Sequence, residues 1–171
     1  MPQGNRLARI LRHRWADLTD VRSVLDAAAL ERIEQRVAAS ERHHRGEIRV
    51  CIEAGLPWSY LHKRLSARDR AIMMFSKLRV WDTADDSGVL IYLLLAEHAI
   101  EIVADRGLNA HVSTEQWRDI VATMRDAFRA GRFEDGLNAA IDAVDGLLAR
   151  HFPAQAGADN PNELPNAPWT G

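Results

Sequence analysis

Cysteine is almost missing from this chain. Cys51 stands alone among 171 residues, so no disulfide can form within the chain. Such a composition suits a reducing compartment. Long apolar runs are missing too. The longest, Val89 to Ala96, falls far short of the roughly 20 residues that cross a bilayer as a helix. Met1 to Asp20 holds no long apolar core and no small-residue cleavage site, so no secretory signal is expected. The expected location is the cytoplasm, or the periphery of the inner membrane. Nor is there an excess of charge of one sign. The net charge is −2, which supplies no global basic field, and no nucleic-acid partner is expected. Finally, GxGxxG, GxxxxGK(S/T), HExxH, GxSxG and paired CxxC patterns are all absent. No organic cofactor is therefore expected.

What is present reads as one globular domain with appended ends. The length suits a single domain that buries most of its apolar surface. Apolar and charged fractions of 47% and 27% are ordinary for such a domain. Residues 1–22 form a basic amphipathic segment, 25–152 the domain proper, and 153–171 a Pro-rich tail. In Asn5 to Leu18, the residues Leu7, Ile10, Leu11, Trp15 and Leu18 recur at helical spacing, with Arg6, Arg9, Arg12 and Arg14 on the remaining face. Two readings follow: a helix that packs its stripe on the domain, or one that lies on an anionic membrane or a partner. The tail holds four of the six prolines and few strongly apolar residues. It reads as a flexible segment, with Trp169 as its one docking group.

Within the domain the periods alternate between helix and strand. A helix is predicted over Ala27 to His43 with a stripe of Leu30, Ile33 and Val37. Glu47 to Ala54 alternates Ile48, Val50 and Ile52 with polar residues, a half-buried strand in which Cys51 is a small core residue. Ser66 and Asp69 make a capping box for a helix to Leu78, with Ile72, Phe75 and Leu78 as its buried stripe. Gly88 to Leu95 is apolar on both faces, so it is a central strand covered on both sides. A tight turn at Ala96-Glu97 returns the chain as an antiparallel strand, His98 to Asp105. Ser113 with Gln116 opens a long helix carrying Trp117, Ile120, Val121, Met124 and Phe128. Gly131 stops it, and a last helix carries Phe133, Leu137, Ile141, Val144 and Leu148.

One cluster points to chemistry. From Val80 to Asp105 there is no Lys or Arg, but there are six acids: Asp82, Asp85, Asp86, Glu97, Glu101 and Asp105. In a hairpin, the start of one strand lies beside the end of the next. Asp85, Asp86 and Asp105 therefore converge at one edge of the sheet. Grouped carboxylates repel unless a cation or a basic side chain offsets them, and Ca²⁺ or Mg²⁺ would suit oxygen ligands. The competing reading is a solvated turn with Arg106 as the neutralising charge. The loop is not an EF-hand: Ala84, Ser87 and Leu93 occupy positions that need a ligand, a glycine and a glutamate. His43-His44 read as a solvated basic helix end, and His98 and His111 as surface residues.

The stretch Asp86-Ser-Gly-Val-Leu-Ile-Tyr-Leu-Leu-Leu95, the short turn, and Ile100-Glu-Ile-Val-Ala-Asp-Arg-Gly-Leu108 resemble the signature of the TPM domain family. So does Phe128-Arg-Ala-Gly131-Arg-Phe133-Glu-Asp-Gly136 after the long helix. The resemblance runs from about Leu30 to Phe152. It implies an α/β fold, an α/β/α sandwich with a small mixed sheet of three or four strands, to which the N-terminal amphipathic helix is added. It also implies that the acidic strand-opening loop is the candidate site. Calcium binding and acid phosphatase activity are attributed to members, and bacterial relatives often accompany LemA-type membrane proteins. This chain departs at Asp105-Arg-Gly107, where the family pattern reads Gly-x-Gly. Three functions are expected, the third of them a calcium-responsive structural domain without turnover. The first is a TPM-type binding or adaptor module, linked to membrane-protein or envelope maintenance, with a protein partner. The alternative is a metal-dependent phosphoric-ester hydrolase in which a metal-bound water attacks and Arg106 steadies the phosphate.

Overall fold

The computed structural model describes residues 4–17, 21–155 and 161–171, with side chains in the first helix from Ala8 to Arg14. The chain runs through α1 (Gly4–Asp17), α2 (Ala27–Ser40), β1 (Ile48–Glu53), α3 (Trp58–His62), α4 (Ala67–Lys77), β2 (Val89–Leu94) and β3 (Ala99–Ala104). It continues through α5 (Arg106–Asn109), α6 (Thr114–Arg129), α7 (Phe133–His151) and β4 (Trp169–Thr170). The sheet order is β3-β2-β1-β4. β1 and β2 are parallel, with Ile48 opposite Val89 and Glu53 opposite Leu94. β2 and β3 are antiparallel, with Val89 opposite Ala104. The crossover between β1 and β2 carries α3 and α4, as a parallel connection requires.

Strand alternation divides the core into two layers. Ile48, Val50, Ile52, Val89, Ile91, Leu93, Ile100 and Ile102 face α2, α6 and α7. Cys51, Leu90, Tyr92, Leu94 and Val103 face α3 and α4, with Ile10 of α1 packed beside them. The result is an α/β/α sandwich around a mixed sheet of four strands. Every residue of β2 is buried, as expected of a central strand. Both predicted capping boxes form, at Ser66/Asp69 and at Ser113/Gln116. The α7 stripe is buried throughout. Gly131, at φ +73, ends α6 in the left-handed region that glycine reaches without strain.

Several expectations need correction. β1 is buried at all six positions rather than half-buried, because helices cover its second face as well. Its charged residues survive there by pairing. Glu53 accepts from Arg70 and from the Tyr92 hydroxyl (2.7 Å), and Arg49 donates to the carbonyls of Pro165 and Ala167. Helix α2 is shorter than predicted and ends at Ser40. The buried face of α4 is Ala67, Arg70, Ala71 and Met74, while Ile72 is exposed and Phe75 and Leu78 are half-buried. The helix turns Arg70 inward because Glu53 waits for it.

His44 is fully buried, not solvated. Residues 43–45 pair with the chain after α7, through Arg45 N–H to Phe152 O and Ala154 N–H to His43 O, and this covers the ring. Burial pushes the His44 imidazole below its ordinary range. His98 and His111 are exposed as expected. His98 adopts φ 47 at the end of a 3₁₀ turn over Leu95–Glu97 that replaces the two-residue turn.

The flexible reading gives way at 161–171, and Trp169 docks on the domain as one of its two expected outcomes. Leu164 is buried, and Trp169–Thr170 add to β1 as a parallel strand. Glu47 accepts from the N–H groups of Glu163 (3.1 Å) and Leu164 (3.3 Å).

Among the described residues, helix α1 docks through Ile10 and through polar atoms. The wholly buried His13 accepts at Nδ1 from Leu56 N–H (3.0 Å), and its Nε2 lies 2.9 Å from Glu97 Oε1. Arg9 donates to the same carboxylate at 2.7 Å. Of the predicted stripe, Ile10 packs inward and Leu11 is exposed, while the side chains of Leu7, Trp15 and Leu18 lie outside the described residues.

Candidate functional site at the acidic edge

The hairpin does bring Asp85, Asp86 and Asp105 to one edge of the sheet. Asp105 N–H donates to Gly88 O at 2.9 Å, which ties the end of β3 to the start of β2. Two glycines let the backbone close there. A Cβ on Gly88 would sit 1.9 Å from the Val80 carbonyl oxygen. One on Gly107 would sit 2.5 Å from Asp86 O and 2.7 Å from Asp85 O. Gly107 N–H instead donates to Asp86 O at 3.0 Å. Asp86 itself has φ 51, a conformation that aspartate tolerates better than most residues. Ser87 N–H donates to Thr83 Oγ1 (3.0 Å), which closes the loop on itself.

The three carboxylates point to different partners. Asp85 pairs with Arg45 at 2.5 Å. Asp86 accepts from Arg106 Nε (2.9 Å) and Nη2 (3.1 Å), a bidentate pair. Asp105 caps α5 by accepting from Arg106 N–H at 2.7 Å. The Arg106 guanidinium holds the Asp86 carboxyl below the usual carboxylate range. Asp82, at the loop's start, pairs with Arg79. Among the described residues no group of three His, Cys, Asp or Glu side chains is placed to share a metal ion. As arranged, the edge does not fit Ca²⁺ or Mg²⁺: arginines stand where a cation would. Arg106 was legible in the sequence as a neutralising charge. Arg45 was not, because it reaches Asp85 from forty residues upstream. The tail also reaches this loop, where the Glu163 carboxylate accepts from Ala84 N–H at 3.1 and 3.2 Å.

A second polar cluster lies buried beneath α3 and α4. Arg70 bridges Glu53 and stacks over the Tyr60 ring at 5.2 Å. Burial and the neighbouring Glu53 push the Tyr92 hydroxyl and the Cys51 thiol up. An inaccessible thiol raised in this way is unreactive, so the cluster holds the sheet to its crossover.

The outer surface of the α1/α3/α4 layer differs from the rest. Of five exposed large apolar side chains among the described residues, four belong to it or follow α4: Leu11, Trp58, Ile72 and Trp81. Arg12, Arg14, Lys63, Arg64, Lys77 and Arg79 are exposed on or beside the same helices. Among the described residues, no helix is long and apolar enough to cross a membrane.

Comparison with known proteins agrees with this architecture. The chain resembles the BA42 protein of the psychrophilic bacterium Bizionia argentinensis, an NMR structure, at 30% identity and a TM-score of 0.74. That match covers 86% of this chain and 95% of the other. The N-terminal domain of a P. gingivalis protein, also solved by NMR, shares the fold at 20% identity and a TM-score of 0.61. It covers 80% of this chain and 85% of that one. No curated protein matches the chain. The family profile of the TPM domain matches residues 18–147, a span that holds both close-packed glycines of the acidic edge and the Phe128 ring against which Gly136 packs. The chain belongs to the TPM domain family.

Proposed function

We propose that this TPM domain is a binding module whose acidic edge is closed by arginines, and that it is not a hydrolase. One observation carries the reading: Asp85 and Asp86 are each held by a guanidinium, and Asp105 is spent as a helix cap. A metal-dependent hydrolase needs carboxylates that converge on an ion and a water activated by it. The test is thermal melting with EDTA, Ca²⁺ and Mg²⁺ up to millimolar concentration, beside turnover of p-nitrophenyl phosphate. No shift and no turnover are expected. A bound cation at a hundredfold its Kd would add about 2.7 kcal/mol of stability, so a rise of that kind overturns the arginine-closed edge. Turnover that disappears in Asp86→Ala overturns the binding-module reading.

A membrane-surface location is favoured by the α1/α3/α4 layer. Exposed Trp and aliphatic side chains interleaved with cations suit an anionic lipid interface, where aromatic rings sit at headgroup depth. The family resemblance supports a LemA-like membrane protein as the partner met there. The module would then work at the inner membrane without entering it. Flotation with phosphatidylglycerol and with phosphatidylcholine vesicles tests the placement. The full chain is expected to float with the anionic vesicles alone, and the Trp58→Ser/Trp81→Ser double variant to float less. Equal failure with both lipids ends the membrane reading.

A further inference from the structure

Among the described residues β3 is the free edge of the sheet, and it lies along the floor of a groove between α4 and α6. The ladder settles which of its backbone groups face outward. Asp105 N–H donates to Gly88 O, and an antiparallel pair alternates residue by residue. Ala99, Glu101 and Val103 therefore turn their polar groups to β2, and Ile100, Ile102 and Ala104 turn theirs into the groove. Side chains mark the same phase: Arg68 Nη1 donates to Ile102 O, and Asn109 Nδ2 donates to Ala104 O at 2.6 Å. The N–H groups of Ile100, Ile102 and Ala104 meet no acceptor among the described residues. A row of this kind is a template for another strand.

The groove has the volume and charge to choose its occupant. It encloses about 820 Å³, with Val112, Trp117 and Val121 as apolar lining, and continues past Glu101 into a hollow of about 270 Å³. Arg68, Arg118, Arg125 and Arg129 line the two, against Glu101 and Asp119. Glu97, at the far end, is spent on Arg9 and His13. Arg118 and Arg129 form no ion pair among the described residues. The opposite edge of the sheet already takes a short extended segment, the chain's own β4, and holds its neighbouring carbonyls with Arg49.

We propose that the β3 edge takes up an extended acidic segment of a partner protein as a fifth strand. The segment's main chain pairs with Ile100, Ile102 and Ala104. Arg68 leaves Ile102 O for a carboxylate of the segment, and Arg118 and Arg125 meet further acids along it. This rests on the binding-module reading and names the chemistry of the partner.

The probe is a capped, dye-labelled ten-residue peptide repeating Val-Glu-Glu, which presents carboxylates on both faces of an extended chain, titrated into the full chain by fluorescence anisotropy and by amide NMR. Two controls replace glutamate with lysine or N-methylate alternate amides. The acidic peptide is expected to bind and to shift the amides of Ile100, Ile102 and Ala104. Both controls are expected to bind at least about tenfold more weakly, a difference of about 1.4 kcal/mol. Arg118→Glu/Arg125→Glu is expected to lose about as much. Both arginines are exposed, so the variant keeps its fold, which its NMR spectrum verifies. Three results overturn the proposal: no binding of the acidic peptide at millimolar concentration, equal binding of the lysine peptide, or shifts confined to residues away from β3 and α6. None of them depends on the cation or phosphoester measurements, so either reading can fail alone.

Discussion

Gly88 shows how much of this site is decided by a single missing atom. Its α-carbon lies so close to the Val80 carbonyl that a methyl group would stand 1.9 Å from the oxygen. That oxygen is backbone and cannot rotate away, so an added Cβ must displace either the strand opening or the end of the α4 loop. Gly146, on α7, meets nothing within 4 Å. The same substitution should therefore have opposite signs at the two positions. Gly88→Ala is expected to cost about 2–3 kcal/mol, in the range of overpacked cores. Gly146→Ala is expected to add about 0.5–1 kcal/mol by raising helix propensity. Urea unfolding of the two variants beside the parent checks both. A Gly88→Ala change no worse than a surface substitution would mean that loop and strand are not packed as described. Gly107 obeys the same rule against the Asp85 and Asp86 carbonyls, which is the physical content of two glycines in the family signature.

At the scale of elements, legibility followed period and length. The six-residue β2, apolar on both faces, announced a covered central strand, and the hairpin register then placed Asp85, Asp86 and Asp105 together without any knowledge of side chains. The long α6 and α7 carried enough turns for their stripes to be read. Several of the failures share one cause, a polar residue buried because a distant one meets it. Arg70 occupies the inner face of α4, where Ile72 was expected, because Glu53, which also accepts from the Tyr92 hydroxyl, meets it on that face of the sheet. Arg49 on β1 and Glu47 just before it are buried because they hold the main chain of 163–167. That docking, in turn, turns a Pro-rich stretch into an edge strand of only two residues, too short for any period to show. His13 is the same case on α1: nothing in the spacing of one helix reveals that Leu56 N–H and Glu97 are its partners. Arginine closure of the acidic edge was half legible, since Arg106 is a chain neighbour of Asp105 and Arg45 is not.

The whole molecule hangs its two ends on carboxylates that titrate in opposite senses, and this determines how its stability depends on pH. Glu97, at the junction of α1 with the sheet, is pulled down to about 2, first by its hydrogen bond with His13 and then by Arg9. A carboxyl whose folded value lies below its ordinary value near 4.5 stabilises the protein above 4.5. That contribution is lost as pH falls from about 4.5 to about 2. Glu41, which neighbours Glu47 and Asn166 of the tail junction, is pushed up to about 8 by burial and by the charge of Glu47. Here the folded state holds the proton more tightly than the unfolded chain. Its contribution is present below 4.5 and is lost as pH rises towards 8. Burial raises Glu47 and Glu101 in the same sense. These carboxyls alone would place the maximum near pH 4.5–5, but the buried His44, held below its ordinary value of 6.5, adds stability as pH rises towards 6.5 and moves the maximum up to between about 5 and 6.5, each single proton contributing at most about 1.4 kcal/mol per pH unit. Urea midpoints from pH 2 to 9 test this. Glu97→Gln should flatten the acid limb, and Glu41→Gln should flatten the alkaline limb and leave the variant more stable than the parent at pH 8. If Glu41→Gln leaves the alkaline limb unchanged, Glu41 is not buried against Glu47. The tail would then not close that side of the sheet in the way described.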